Sequence, residues 1–74
     1  MNSKYIVYKM DVKSRVKFFA ATGGGFSTHL GAAQMFTEKK ADKLIETIMQ
    51  TLTSFMRSRV IVEKQPAEIF EEVL

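Results

Sequence analysis

The residues of this 74-residue chain best placed to do chemistry lie together: Gly23-Gly24-Gly25, then Phe26, Ser27, Thr28 and His29. Glycine lacks a Cβ and loses more backbone entropy on folding than any other residue. Three in a row therefore mark an unusual backbone path, or the close approach of something to that backbone. Successive N–H groups in a glycine turn can form a concave nest for an anion. Ser27 and Thr28 add hydroxyls and His29 an imidazole donor, and such groups are common phosphate contacts. The run is not a P-loop, because no Gly-Lys-Ser/Thr ending follows and no strong helix starts there; nor is it a dinucleotide fingerprint. A plain hairpin tip or wide connection fits the same residues.

Two arginines extend the candidate set. Arg57 and Arg59 flank the C-terminal end of an expected long helix, where cations suit the helix dipole. Arginine is also the preferred bidentate phosphate ligand. In a dimer, Arg57 and Arg59 of one subunit can complete a pocket begun by the glycine loop of the other. The expected ligand-binding residues are thus Gly23, Gly24, Gly25, Ser27, Thr28, His29, Arg57 and Arg59. At the other end of that helix Lys39, Lys40 and Lys43 oppose the dipole, partly offset by Glu38 and Asp42. They read either as a cationic patch beside a helix N-terminus or as a solvated face.

Catalysis finds little support. His29 is the only histidine, cysteine is absent, and the few acidic residues fall mostly on helix faces, so no Ser–His–carboxylate set is suggested. No disulfide or thiolate zinc site can form. The expectation is a non-enzymatic protein with no catalytic residue, metal or cofactor.

The elements that position these residues follow from periodicity. Residues 4–11 alternate, with Tyr5, Val7 and Lys9 facing one way and Ile6, Tyr8 and Met10 the other, which predicts a strand. After the polar connection Asp11–Arg15, residues 16–22 alternate again, with Val16, Phe18 and Ala20 opposite Lys17, Phe19 and Ala21. The pair predicts an antiparallel hairpin. Because Phe18 and Phe19 face apart, one sheet face is expected to show aromatic and lysine side chains, as a nucleic-acid surface or a dimer interface. Residues 32–36 suit a short third strand whose alanines allow close packing.

Thr37 suits an N-cap. From there Ala41, Leu44, Ile45, Ile48, Met49, Leu52, Phe55 and Met56 trace one apolar stripe of period 3.6. A helix over residues 38–57 would be about 30 Å long at 1.5 Å per residue, longer than a small sheet is wide, so one end of its stripe is expected to reach a partner. Residues 59–63 read as a short, largely buried strand ended by Gln65-Pro66. Pro66 then suits the first position of a short C-terminal helix with Ile69, Phe70, Val73 and Leu74 on one edge. The fold class is α+β: a small antiparallel sheet (a β-hairpin plus one or two short strands) packed by one long amphipathic helix, with a short C-terminal helix, in a single domain over residues 1–74.

Composition narrows the class. At 46% hydrophobic the chain is a globular sequence and not a disordered one. No apolar run approaches the roughly 20 residues that span a membrane. The N-terminus lacks the apolar core of a signal peptide, so the expected location is the cytoplasm. So short a chain buries only about 60% of its unfolded surface. With no disulfide or metal to reinforce it, oligomerisation is the remaining support. Net charge is +3, spread unevenly: Lys4, Lys9, Lys13, Arg15 and Lys17 stand against Asp11 in the first half, while Glu68, Glu71 and Glu72 end the chain. The balance suits an anionic partner, or solubility alone.

Tyr5-Ile6-Val7, Lys17-Phe18-Phe19-Ala20, the glycine turn, Ala33-Gln34-Met35-Phe36-Thr37 and Lys40-Ala41-Asp42-Lys43 follow one another in an order that resembles many very small bacteriophage proteins. In those, a strand meander leads into Ala-x-x-Phe and then a helix. The resemblance covers roughly residues 4–45 and carries over no catalytic residue. It implies a viral host-takeover or anti-defence factor that binds a bacterial protein or sequesters a nucleotide signal in the host cytoplasm. Three readings stay open: a homo-oligomer that binds an anionic small molecule such as a nucleotide; a protein–protein inhibitor of a host enzyme or nucleic-acid complex; and a weak nucleic-acid binder using Lys9, Lys13, Arg15 and Lys17.

Overall fold

A computed structural model describes residues 4–68. Strands β1 (Tyr5–Asp11), β2 (Lys17–Ala20), β3 (Phe26–Ser27) and β4 (Val60–Pro66) form one antiparallel sheet in the order β3-β2-β1-β4. Helices α1 (Glu38–Thr51) and α2 (Ser54–Arg57) lie between β3 and β4 in the chain, and a single 3-10 turn spans Leu30–Ala32. The architecture is α+β, as the two periodicities require.

Strand β1 is the centre of the sheet, and its alternation becomes two clusters, one on each face. On one face Val7, 0% exposed, packs with Ala20, Ala41 and Ile48, and with Leu44, Ile45 and Val62 around them. This is the α1 side. The small side chains of Ala20 and Ala41 let sheet and helix approach closely. On the other face Ile6, Tyr8, Phe19 and Ala67 are buried together. The Tyr8 and Phe19 rings are 6.1 Å apart and tilted by 58°, a favourable aromatic arrangement. The opposed facing of Phe18 and Phe19 is therefore resolved in favour of Phe19 as the core residue.

Four expectations need correction. The third strand is not at residues 32–36 but at Phe26–Ser27, paired with Ala20 and Phe19. Residues 33–36 instead bridge β1 and β2 at two isolated points, Ala21 to Ala33 and Tyr5 to Phe36, with 2.7 and 2.8 Å backbone bonds at the second. The long helix is broken: α1 is about 21 Å long at 1.5 Å per residue and stops at Thr51. The hydroxyl residues after it explain the break, because they offer the backbone other partners. Thr51 Oγ1 donates to the Ile48 carbonyl at 2.7 Å, and Thr53 caps α2 by accepting from the Met56 N–H at 3.2 Å. Finally, β4 runs through Pro66, which pairs with Tyr5, so Pro66 is the last residue of a strand and helical backbone begins directly after it, at Ala67 and Glu68. Pro66 has no N–H to give, which an edge strand tolerates. β4 is also only half-buried. The remainder of the expected C-terminal helix lies outside the described residues. The expected Thr37 cap is present, with its hydroxyl accepting from the Lys40 N–H.

Polar contacts tie β4 down on both faces. Tyr8 Oη donates to Glu63 Oε2 at 2.8 Å, and Lys64 Nζ donates to Asp42 of α1 and lies 3.6 Å from Glu38. Burial of Tyr8, then its bond to Glu63 and that residue's charge, push the phenol up to about 12. The unfolded chain titrates near 10, so folding favours the neutral phenol. Its contribution is fully present below about pH 10 and lost as pH rises through about 12, at up to about 1.4 kcal/mol per pH unit. Urea unfolding followed from pH 8 upward should show stability falling across this window, and Tyr8→Phe should flatten the fall. Tyr5 and Lys64, both also shifted upward, supply the slope that remains. An unchanged slope in Tyr8→Phe would refute the assignment.

Candidate functional site

The glycine run is the turn of the β2–β3 hairpin. Ala21 N–H donates to the Gly25 carbonyl at 2.8 Å, and Gly24 N–H to the Ala21 carbonyl at 3.2 Å. Gly23 has φ +96° and Gly24 φ +92°. A positive φ at the third position of a β-turn calls for glycine. Nothing lies within 4 Å of a Cβ built on Gly23, Gly24 or Gly25, so backbone conformation and not close approach explains the first two. Past the turn, Ser27 Oγ accepts from the His29 N–H at 3.1 Å, and His29 begins the 3-10 turn. Thr28 and His29 are exposed.

The two arginines lie elsewhere. Arg57 donates from Nε and Nη2 to the Met49 carbonyl at 3.1 and 2.8 Å, and so caps the C-terminal end of α1 across the helix break. The Arg59 guanidinium sits 5.2 Å from the Phe55 ring centroid, and its carbonyl accepts from the Val12 N–H. Val12 belongs to the β1–β2 turn, at the end of the sheet opposite the glycine hairpin. Within one protomer the structure thus brings Gly23 to His29 together but does not join them to Arg57 and Arg59.

A different arrangement unites the helix with the outer strands. α1 packs mainly on β1 and β4. The β2–β3 half of the same face is left open, with Phe18 at 36%, Phe26 at 38% and Val16 at 43% exposure. Two clefts lie along the seam. One, about 270 Å³, sits between the glycine hairpin and α1, and its walls include Phe26, Phe36, Leu44 and Ile48, with Gln34 as its polar side chain. The other, about 210 Å³, lies between Phe18, Leu52, Met56 and Val60, with Lys9 and Asp11 beside them. Lys9 links the two, its Nζ lying 4.2 Å from the Phe26 ring centroid. Phe55, which precedes Met56 in α2, is 65% exposed.

The sequence pattern alone places Leu52, Phe55 and Met56 on one continuous helical stripe. The break after Thr51 separates them, and the cue for it was the hydroxyl cluster Thr51, Thr53 and Ser54. Asp11, another residue of this end, holds its carboxylate against the N–H groups of Lys13 (2.8 Å) and Ser14 (3.1 Å), and these bonds lower its pKa. Among the described residues no helix is long and apolar enough to cross a membrane. Comparison with known proteins finds no matching family, no similar curated protein and no similar solved structure.

Two predictions follow from the local geometry. Gly23→Ala and Gly24→Ala should each cost about 1–2 kcal/mol in urea unfolding, the penalty of a left-handed backbone, while Gly25→Ala should be close to neutral. Equal losses at all three positions would contradict the turn assignment. Arg57→Ala should lower stability by up to about 1 kcal/mol through the lost cap, and Arg57→Lys should not restore it, because one ammonium cannot replace the two-pronged contact. A Lys variant as stable as the wild type would show that the two-pronged contact is not needed, and an Ala variant as stable would show that the cap contributes nothing.

Proposed function

We propose that this chain works by binding another protein, without catalysis, through the open half of its α1 face. The observation that carries the reading is the exposure of Phe18, Phe26 and Met56 around one seam, with Phe55 exposed next to Met56 in α2. Single exposed apolar residues are ordinary, but aromatic and methionine side chains clustered beside clefts are the composition of interface cores. The inhibitor reading, in which a small protein blocks a host enzyme or complex, is served by such a surface. Its phage context rests on the sequence resemblance alone.

A nucleotide-binding reading has one specific support. Gly24 and Gly25 border the larger cleft, between the rings of Phe26 and Phe36 and the amide of Gln34. Those walls suit a planar base better than a phosphate. Lys9 supplies a cation beside them, against the Phe26 ring.

Both readings meet in one experiment. The tagged chain and a Phe18→Ser/Phe55→Ser variant are used to capture proteins from cells that express the chain, and the wild type is also examined by native mass spectrometry. A defined partner held by the wild type and reduced at least about tenfold by the variant, whose circular dichroism stays unchanged, is the expected result. Equal capture by both proteins would sink the protein-binding reading. Retained mass of nucleotide size would favour the second.

A further inference from the structure

Resting on the protein-binding reading, we infer that the seam between α1 and β2–β3 receives an acidic amphipathic helix of the partner. The shape of the groove comes first. One wall is the line Leu44, Ile48 and Leu52, spaced by four residues and about 12 Å long at 1.5 Å per residue, with Met56 beyond it. The other wall is Phe26 and Phe18. Two roughly parallel apolar lines form a trough that suits a helix presenting side chains at i, i+3, i+4 and i+7.

Backbone chemistry then favours a helical occupant. The groove lies on the face of the sheet, where β2 is paired with β1 at Lys17–Phe19 and with β3 at Phe19 and Ala20. Its floor is therefore made of side chains. A segment lying in it must satisfy its own N–H and C=O groups, and a helix does so.

Charge sets the sign of the partner. Lys9 lies inside the groove over Phe26. Helical rotation places Lys40 on the same flank of α1 as Leu44, and Glu38 and Asp42 on the opposite flank, where Lys64 engages them. The β1–β2 turn beyond the groove carries Lys13 and Arg15, and the Arg59 carbonyl accepts there from the Val12 N–H. Its acid there, Asp11, is taken up by two turn N–H groups. A cationic surround disfavours a basic helix and speeds encounter with an acidic one. Nucleic acid fits less well, because the Lys9 ammonium already covers a face of Phe26 on which a base would stack, and α1 walls one side of the sheet.

The test uses the full chain and two fluorescein-labelled peptides, each with leucines at i, i+3, i+4 and i+7. One carries glutamates at the remaining positions and the other carries lysines there. Anisotropy should show the glutamate peptide binding at least about tenfold tighter than the lysine peptide, with the gap narrowing as salt rises. Lys9→Glu should reduce that preference, and Phe18→Ser should abolish binding of both peptides without changing the circular dichroism. If both peptides bind alike and Phe18→Ser abolishes both, the acidic partner is refuted while the groove as a protein site stands. If neither binds, the helix-in-groove inference is refuted, and partner capture by wild type against Phe18→Ser/Phe55→Ser still judges the broader reading. Competition of the glutamate peptide by a single-stranded oligothymidylate, or groove amide resonances that shift on dilution of the free protein, would overturn the inference in favour of nucleic acid or of a second copy.

Discussion

The contact on which the domain depends is the one between Val7 and the small residues that let α1 approach it. Val7 is the only large side chain among the described residues that is wholly removed from water, and it sits at the middle of the central strand. Ala41 on the helix and Ala20 on β2 close over it, with Ile48 beside them. Burying an aliphatic side chain of this size contributes about 1.5–3 kcal/mol, a large share of what so small a domain can hold. The opposite face has its own cluster on Ile6, Tyr8 and Phe19, so β1 is buried from both sides over three successive residues, while β2 is so buried only at Phe19 and Ala20.

The open seam follows from that geometry. One helix of fourteen residues cannot cover four strands. Adjacent strands lie about 4.8 Å apart, and a helix with its side chains is about 10 Å across. Set over β1 and Ala20, with Lys64 of β4 reaching its acidic flank, α1 leaves Phe18 of β2 and Phe26 of β3 bare on that face. Phe18 and Phe26 are exposed because the same anchor that secures the core draws the helix to the other side of the sheet. Core packing and candidate surface are thus two results of one placement.

Much of this was legible in the residues. The alternation of residues 4–11 and 16–22 announced two strands and assigned each side chain to its face. The 3.6 period from Ala41 announced the helix, and Thr37 its start. Three features were hidden. β3 is two residues long, too short for any period, and it sits inside the stretch that glycine made look like a site. The end of α1 is decided by hydroxyl groups competing for backbone partners, against an apolar stripe that continues through Phe55 and Met56. The separation of Arg57 and Arg59 from the glycine hairpin depends on which end of the sheet each occupies, and only strand register reveals that. Conversely, the glycine run stood out from composition alone, and its φ values account for two of its three residues through turn geometry.

The pairing of β1 with β4 carries a kinetic meaning. Tyr5 meets Pro66 and Asp11 meets Val60, so the central strand acquires its second neighbour from nearly the far end of the chain. During synthesis β1 and β2 can pair as soon as both have emerged, and α1 can form soon after. The sheet stays incomplete until β4 has followed. Closing so long a loop is entropically costly and slows folding relative to local contacts. Through that interval the edge of β1 offers an unpaired ladder bearing Ile6, Val7 and Tyr8. A nascent chain paused before Val60 would be a half-built sheet with its stickiest strand uncovered, the state in which chaperone capture or aggregation competes with folding.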